Sequence, residues 1–532
     1  MKQSLRAATA VACLLLGVMV AGTALAQKQG GILRVYFFDS PGSMSIHEES
    51  TLAALAPMMG VFNNLVMYKQ DVRQNSLQSI VPDLATSWAW NADNTRLTFK
   101  LREGVKWHDG KPFTSKDVQC TWNLLMGKAP ERLRINPRRA WYGNLEEVAI
   151  EGDQDVTFKL KRPQPAFLAL LASGFSPVYP CHVPPKEMRA KPIGTGPFKF
   201  VEFKPNEAIK VTRNPDYWKP GRPYLDGIDY TIIRSLATGV LAFVAGKVDI
   251  TSYHFLQVPM LRDLKQQAPN AICDLVPANV SRTVIINPKI APFDKPELRQ
   301  AISMTIDRKA FIDTNTLGKG DVGGALLPLP EGVWGMPPEI LKSLPGYDPD
   351  VPKNRAEGRK IMEKLGYGAS NRLKVKLSTR NIPPYRDSAV ILIDHLKEIY
   401  IDAELELVET ATWYPKITRK DFTIGLNLVG NGLDEPDQTF YESYSCGAES
   451  NFDGYCNPEV DKLIDQQSAE IDQEKRRKLV WAIERKLVED GARPVIYHNR
   501  SGTCWWPYVK GYQMMVNSIY NGLRLEDVWL DK

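Results

Sequence analysis

The chain has 532 residues, 43% of them hydrophobic and 24% charged, with a formal net charge of +6. This is the composition of an ordinary soluble globular protein, and the length of two to four domains. Acids and bases are interspersed, which argues against nucleic-acid binding. The one dense basic run, Lys475-Arg476-Arg477-Lys478, follows Glu470, Asp472 and Glu474 and reads as a solvated helix face.

Met1 to Ala26 reads as an export leader. Lys2 and Arg6 are positive, Val11 to Val20 is apolar, and Ala24-Leu25-Ala26 is a cleavage site. Removing Lys2 and Arg6 with it leaves +4 on the mature chain. The alternative, an uncleaved anchor, fits less well because the run is short for a span of ~20 residues. Cys13 lies inside the apolar run and not behind a small-residue box, so no lipid anchor is expected. No later stretch is long and apolar enough to cross a membrane. The expected mature protein starts at Gln27, outside the cytoplasm.

Gly30 to Phe38 reads as a buried strand running into the loop Asp39 to Met44, and Ala53 to Tyr68 as a helix with Pro57 near its start. Leu97, Phe99 and Leu101 alternate with polar residues, as in a half-buried strand. Trp107 to Gly110 is a turn, and Thr114 with Asp117 forms a capping box for a helix carrying Val118, Trp122 and Leu125 on one face. Val156 to Leu160 is a strand and Ala166 to Ala172 a Pro-bounded helix; the Pro-rich segment Pro177 to Pro192 leads out of this region. Residues 69–190 are therefore expected to form a small α+β domain.

Val284 to Asn287 is a strand, followed by a helix with Pro296 in its first turn, where a missing N–H costs nothing. Gly318 to Gly323 spells G-x-G-x-x-G, but it follows a helix and precedes a Pro-rich loop, so it reads as a flexible loop and not a nucleotide site. Helix Lys353 to Leu365, strand Leu373 to Ser378, helix Ser388 to Ile399 and strand Ala403 to Val408 make an α/β series. Asn457 caps a helix opening at Pro458; Leu479, Ile483 and Leu487 mark another; Pro494 to Tyr497 is a strand.

Enzyme hardware is missing from this reading. There is no G-x-S-x-G elbow, H-E-x-x-H pair or P-loop, and the six histidines (His47, His108, His182, His254, His395 and His498) are scattered. No Cys/His cluster has zinc spacing, and no cofactor is expected; His254 alone is a weak pointer to a metal.

The segment Leu101 to Phe113, LREGVKWHDGKPF, with Thr114 and Asp117-Val118 behind it, resembles the shared core of family 5 solute-binding proteins. These are the dipeptide-, oligopeptide- and nickel-binding periplasmic proteins of ABC importers. Pro82 to Trp88, Gly194 to Phe200, Arg213 to Trp218, Gly246 to Ile250, and Arg299 to Ile302 with Ile306 to Arg308 are similar to the family as well. The resemblance implies an α/β, two-lobed periplasmic-binding-protein fold (type II, cluster C-like) with an extra α+β domain on the first lobe. The expected division is 1–26 leader, 27–68, 191–284 and 501–532 first lobe, 69–190 extra domain and 285–500 second lobe. Its partners would be a small-molecule or peptide ligand held between the lobes and an inner-membrane permease, with the binding protein a monomer.

For the ligand, the resemblance points to Arg380 as a carboxylate-binding residue, since an Arg fork grips a carboxylate bidentately. The stretch Gly430-Asn431-Gly432-Leu433-Asp434 matches the family's ammonium-binding region, with Asn431 where an Asp is expected. Asn431 cannot supply the charge a buried ammonium needs; Asp434 is the candidate substitute after a loop shift, or else a turn acid or helix cap before Pro436. Phe38, Trp141, Tyr142, Tyr253, Trp413, Tyr414 and Phe440 are the aromatic candidates for the cleft, although with 12 Trp and 20 Tyr several must be core. Outside the cytoplasm disulfides persist. Cys446 and Cys456 are expected to pair across a short Gly-containing loop, as in some family members, while Cys120, Cys181, Cys273 and Cys504 allow three connectivities. The expected ligand is a peptide or peptide-sized solute. A non-peptide acid, a glycoside or a metal chelate is the alternative within the class, and a periplasmic hydrolase or a holdase the alternative outside it.

Overall fold

The structure, a computed structural model, describes residues 27–516 and 520–532. The expected leader, 1–26, lies outside the described residues. Three sheets organise the chain. In the first, Ile32–Phe37 lies parallel to Gly227–Ile232, which pairs antiparallel with Ala208–Arg213, and Phe198–Lys204 closes the far edge. The second has six strands, in the order Gly320–Asp321, Val495–Trp505, Ile272–Ile286, Ile424–Gly430, Leu373–Arg380 and Ile401–Val408. The third is an antiparallel sheet of Ala85–Trp90, Arg96–Leu101, Asp155–Leu160 and Leu145–Glu151, with helix Ser115–Leu125 packed on it.

Ile272–Ile286 and Val495–Trp505 join the first two sheets. The former, of 15 residues, is long enough to serve both. Ile250 forms single bridges to Val35 and to Trp505, which stitches the outer ends of this pair to the first sheet. Their inner ends carry Ile424–Gly430. The expected boundaries after 284 and 500 thus fall inside strands that run on without a break. The ladder slips between Pro277↔Arg500 and Ser281↔His498, where Pro277 has no N–H to give and Asn279 holds a φ of 47°, and again between Arg282↔Tyr497 and Thr283↔Val495. Cys273 and Cys504 are bonded across the pair at its first-sheet end. The other bridges are Cys120–Cys181, under helix Ser115–Leu125, and Cys446–Cys456.

Local chemistry explains the best-formed elements. Thr114 N–H donates to Asp117 Oδ2 at 2.9 Å, which closes the capping box. His108 clasps the turn at Gly194: its backbone N–H donates to Gly194 O at 2.9 Å, its Nδ1 accepts from Gly194 N–H at 3.2 Å, and its Nε2 is 3.0 Å from Gly196 O. Burial lowers the His108 pKa to about 4, so the ring stays neutral in this clasp.

The expected helix from Ala53 to Tyr68 is shorter. It covers Leu52–Met58, and Val66–Tyr68 is instead a strand paired with Ile80–Pro82. The helix ends because Gly60 sits against Phe198 and the Arg524 carbonyl, and because Asn63 and Asn64 turn inward to bind Asp83. The expected loop at Gly318 to Gly323 contains a short strand, Gly320–Asp321, since Asn499 and His498 offer it an open edge. The core of the third sheet (Leu97, Phe99, Phe158) is continuous with that of the first (Leu33, Val35). Val284, Leu298, Ile302 and Leu377 belong to a separate cluster in the second sheet and its helices.

Candidate ligand-binding site

A cavity lies where the crossover strands pass between the first and second sheets. One wall is Phe38, Asp39 and Ser50 to Ala53, with His254, Phe255, Gln257 and Val258. The opposite wall is Arg380, Pro384, Tyr385, Tyr414, Asn427 to Gly430, Glu442, Phe452 and Arg493. Val280, Arg282 and Asn499 to Ser501 of the crossover strands close the end. Water centres can occupy about 140 Å³ of it, room for roughly ten water molecules. A solute of dipeptide size fits that space.

Arg380 ends strand Leu373–Arg380, immediately before helix Pro383–Lys397. Its Nη2 donates to Asp39 Oδ2 at 2.7 Å and to Thr410 Oγ1 at 3.0 Å, and its Nη1 to the Tyr385 hydroxyl at 3.0 Å. The guanidinium carbon stands 4.8 Å from the Tyr385 ring centre and 5.5 Å from that of Tyr414. Nε is buried and has no partner. Arg493 is built similarly: Nε donates to Asp453 Oδ1 at 3.0 Å, Nη2 to Ser450 O at 3.2 Å, and Nη1 is buried without a partner.

Arg282 projects from the first crossover strand. Its Nε donates to Ser388 Oγ at 2.8 Å and its Nη1 to Asn499 Oδ1, and its guanidinium lies 4.7 Å over the Tyr497 ring. Arg500 is held by Asp321 and Glu331 at 3.0 Å each. Glu442 accepts from Trp141 Nε1–H at 3.2 Å. Burial raises its pKa, and the nearby Arg138 opposes the rise. His254 is neutral, its pKa lowered by burial to about 4. Phe38 and Phe255 stack with ring centres 3.4 Å apart.

Of the residues expected from sequence, Arg380, Phe38 and Tyr414 line the cavity. The others face elsewhere. Trp141 stands behind Glu442 as its hydrogen-bond donor, and Tyr142 packs on Trp122 and Phe167 in the core. Tyr253 packs against Tyr230 and Tyr512, and Phe440 against Tyr444. Trp413 is fully buried, its Nε1–H on Asn427 Oδ1 at 3.2 Å, because its neighbour Tyr414 takes the cavity side of the helix.

The stretch after Gly430 turns away from the cavity. Asn431 N–H donates to Asn279 O at 2.9 Å, and Gly432 O accepts from Asn521 Nδ2 at 2.7 Å. Asp434 Oδ2 accepts from Val333 N–H at 2.6 Å. Burial pushes the Asp434 pKa up to about 7. Neither Asn431, Gly432 nor Asp434 lines the cavity. Asp39, Arg282, Tyr385, Glu442, Phe452, Arg493 and Tyr520 also line the cavity and were not singled out as site residues from the sequence. The available signal was strongest at Arg282, a lone cation in the otherwise uncharged stretch from Val280 to Ile286.

Among the described residues no group of three His, Cys, Asp or Glu side chains could hold a metal ion. The family described as bacterial extracellular solute-binding proteins, family 5, matches residues 79–451. The oligopeptide-binding protein AppA of Bacillus subtilis is 28% identical over 460 residues, covering 81% of this chain and 80% of that protein. Two solved structures share the fold. The periplasmic binding protein DppA of Helicobacter pylori, in complex with the peptide STSA, superposes with a TM-score of 0.83 at 22% identity, over 95% of this chain and 99% of that one. AgaA of A. tumefaciens R10, in complex with agropinic acid, gives 0.82 at 23% identity, over 94% and 99%.

Proposed function

Because the chain belongs to the bacterial extracellular solute-binding proteins of family 5, we infer that it captures a peptide or peptide-sized organic solute outside the cytoplasm and delivers it to the permease of an ABC importer. Residues 27–68, 191–284 and 501–532 act as one lobe, with 69–190 built onto it, and 285–500 as the other. Capture is a hinge closure about the crossover strands, near the slip at Pro277 to Ser281. Export by a cleaved leader would place the protein in the periplasm.

The observation that carries the reading is the cavity between the two walls with Arg380 in it. Arg380 has a buried N–H without a partner, and an Arg fork matches a carboxylate. The ligand's carboxylate is assigned to this residue. The oligopeptides for which AppA is named and the agropinic acid held by AgaA both contain such a group.

A non-peptide acid has one observation in its favour. Asn431 has no charge and Asp434 is turned to Val333, so neither meets a ligand ammonium. The acids left in the cavity wall are Asp39, bound to Arg380, and Glu442, bound to Trp141.

Mass spectrometry of the solute released on denaturing the exported protein tests the assignment, because a bound solute stabilises the fold by mass action and survives purification. Short peptides are the expected result, and a solute without any carboxylate would overturn it. Arg380→Ala is expected to weaken binding of that solute by about tenfold or more in calorimetry, since a hydrogen bond to a charged group is worth ~1.5–3 kcal/mol.

A further inference from the structure

The cations of the cavity wall are not equally balanced. Arg380 faces Asp39, Arg493 faces Asp453, and Arg500 faces Asp321 and Glu331, all within 3.0 Å. Arg282 faces no carboxylate at ion-pair distance among the described residues. Its partners are the neutral Ser388 Oγ, Asn499 Oδ1 and Pro384 O. It is only 3% exposed. Glu442 does not serve it: that carboxylate is held by Trp141 and opposed by Arg138. Asp387 attracts it from beyond ion-pair distance, and burial still lowers its pKa. A buried guanidinium that no carboxylate holds in an ion pair is costly, and this one stands in the wall of a solute cavity.

Arg282 and Arg380 stand on the two strands that flank Ile424–Gly430, and both line the cavity. Both side chains reach the first turns of helix Pro383–Lys397, Arg380 at the Tyr385 hydroxyl and Arg282 at Ser388. We propose that Arg282 is a second anion-binding residue of this site, and that the solute is a small diacid with one acidic group on Arg380 and the other on Arg282. An acidic dipeptide, or another amino-acid derivative with two carboxylates a few bonds apart, has this form. The proposal rests on the peptide-sized solute inferred above and adds the second charge.

The test compares Ala-Glu with Ala-Gln, which differ only in that charge, by calorimetry on the wild-type protein and on Arg282→Met. Ala-Glu is expected to bind the wild type about tenfold or more tightly than Ala-Gln, and the ratio is expected to fall to near one in R282M. Equal binding of the two by the wild type overturns the proposal. If neither dipeptide binds, the peptide reading fails, and the solute-free protein then decides the role of Arg282. There, R282M is expected to raise the unfolding midpoint, because it removes a buried charge that no carboxylate holds in an ion pair. A lower midpoint makes Arg282 a structural residue and overturns the proposal.

Discussion

Asp39 and Arg380 come from opposite walls of the cavity and meet at 2.7 Å. A ligand carboxylate arriving at Arg380 competes with the Asp39 carboxylate for the same N–H groups. Asp39→Asn is therefore expected to tighten binding of a carboxylate solute several-fold in calorimetry, opposite in sign to Arg380→Ala. Weaker binding would mean that Asp39 serves chiefly to hold the walls together. Arg380 was legible in the sequence because it falls between a clear strand and a clear helix at a position resembling the family's. Of the aromatic candidates only Phe38 and Tyr414 line the cavity, because adjacent rings such as Trp413 and Tyr414 face opposite ways and the letters do not set the phase. Asn431 and Asp434 were misplaced for a related reason: the chain after Gly430 folds back on Asn279 and Val333, contacts over a hundred residues away in sequence.

Elements with a local code were the readable ones. The alternation at Leu97 to Leu101, the capping box at Thr114 and the prolines at helix starts all specify structure within a few residues. The long crossover strands were read only at Val284 to Asn287 and Pro494 to Tyr497. Their other halves, Ile272 to Pro277 and Arg500 to Trp505, mix apolar residues with Cys, Asp, Arg, Ser, Gly and Thr, so no apolar period marks them. The bridge Cys273–Cys504 likewise could not be chosen from sequence. It closes a separation of 231 residues, against 10 for Cys446–Cys456. In chain-entropy terms these are worth ~5 and ~3 kcal/mol. The double Ser variant at 273 and 504 is accordingly expected to lose more stability in denaturant unfolding than that at 446 and 456. The reverse ranking would place the effect of these bridges in the folded state.

For the molecule as a whole, buried ionisable groups set an optimum of pH. Burial raises Asp434 and Glu484 to about 7, while Glu484 accepts N–H bonds from Leu326 and Met336. As pH falls through 7 these two take up protons that the unfolded chain takes only near 4, so stability rises. Burial lowers His47 to about 3 and His108 and His254 to about 4. Below pH ~6.5 the unfolded chain protonates these rings and the folded one does not, so stability falls. The midpoint of thermal unfolding is expected to peak near pH 6.5, and a steady fall from pH 8 downward would contradict this balance. The segment just after strand Asp155–Leu160 also touches helices Pro436–Ser443 and Pro458–Ala469, outside the cavity. Arg162 donates to Asp465 at 2.6 Å and Gln164 to Asp437 at 2.7 Å. If the cavity opens by the proposed hinge, these bonds part too; they then bias the open–closed equilibrium without meeting a solute, and an apparent affinity scales with the closed fraction. Arg162→Ala is therefore expected to weaken every solute by one common factor and leave their ranking unchanged. In this architecture how tightly the protein holds and what it prefers to hold are governed from different places, and a lineage could retune the first for a scarcer environment while keeping the second intact.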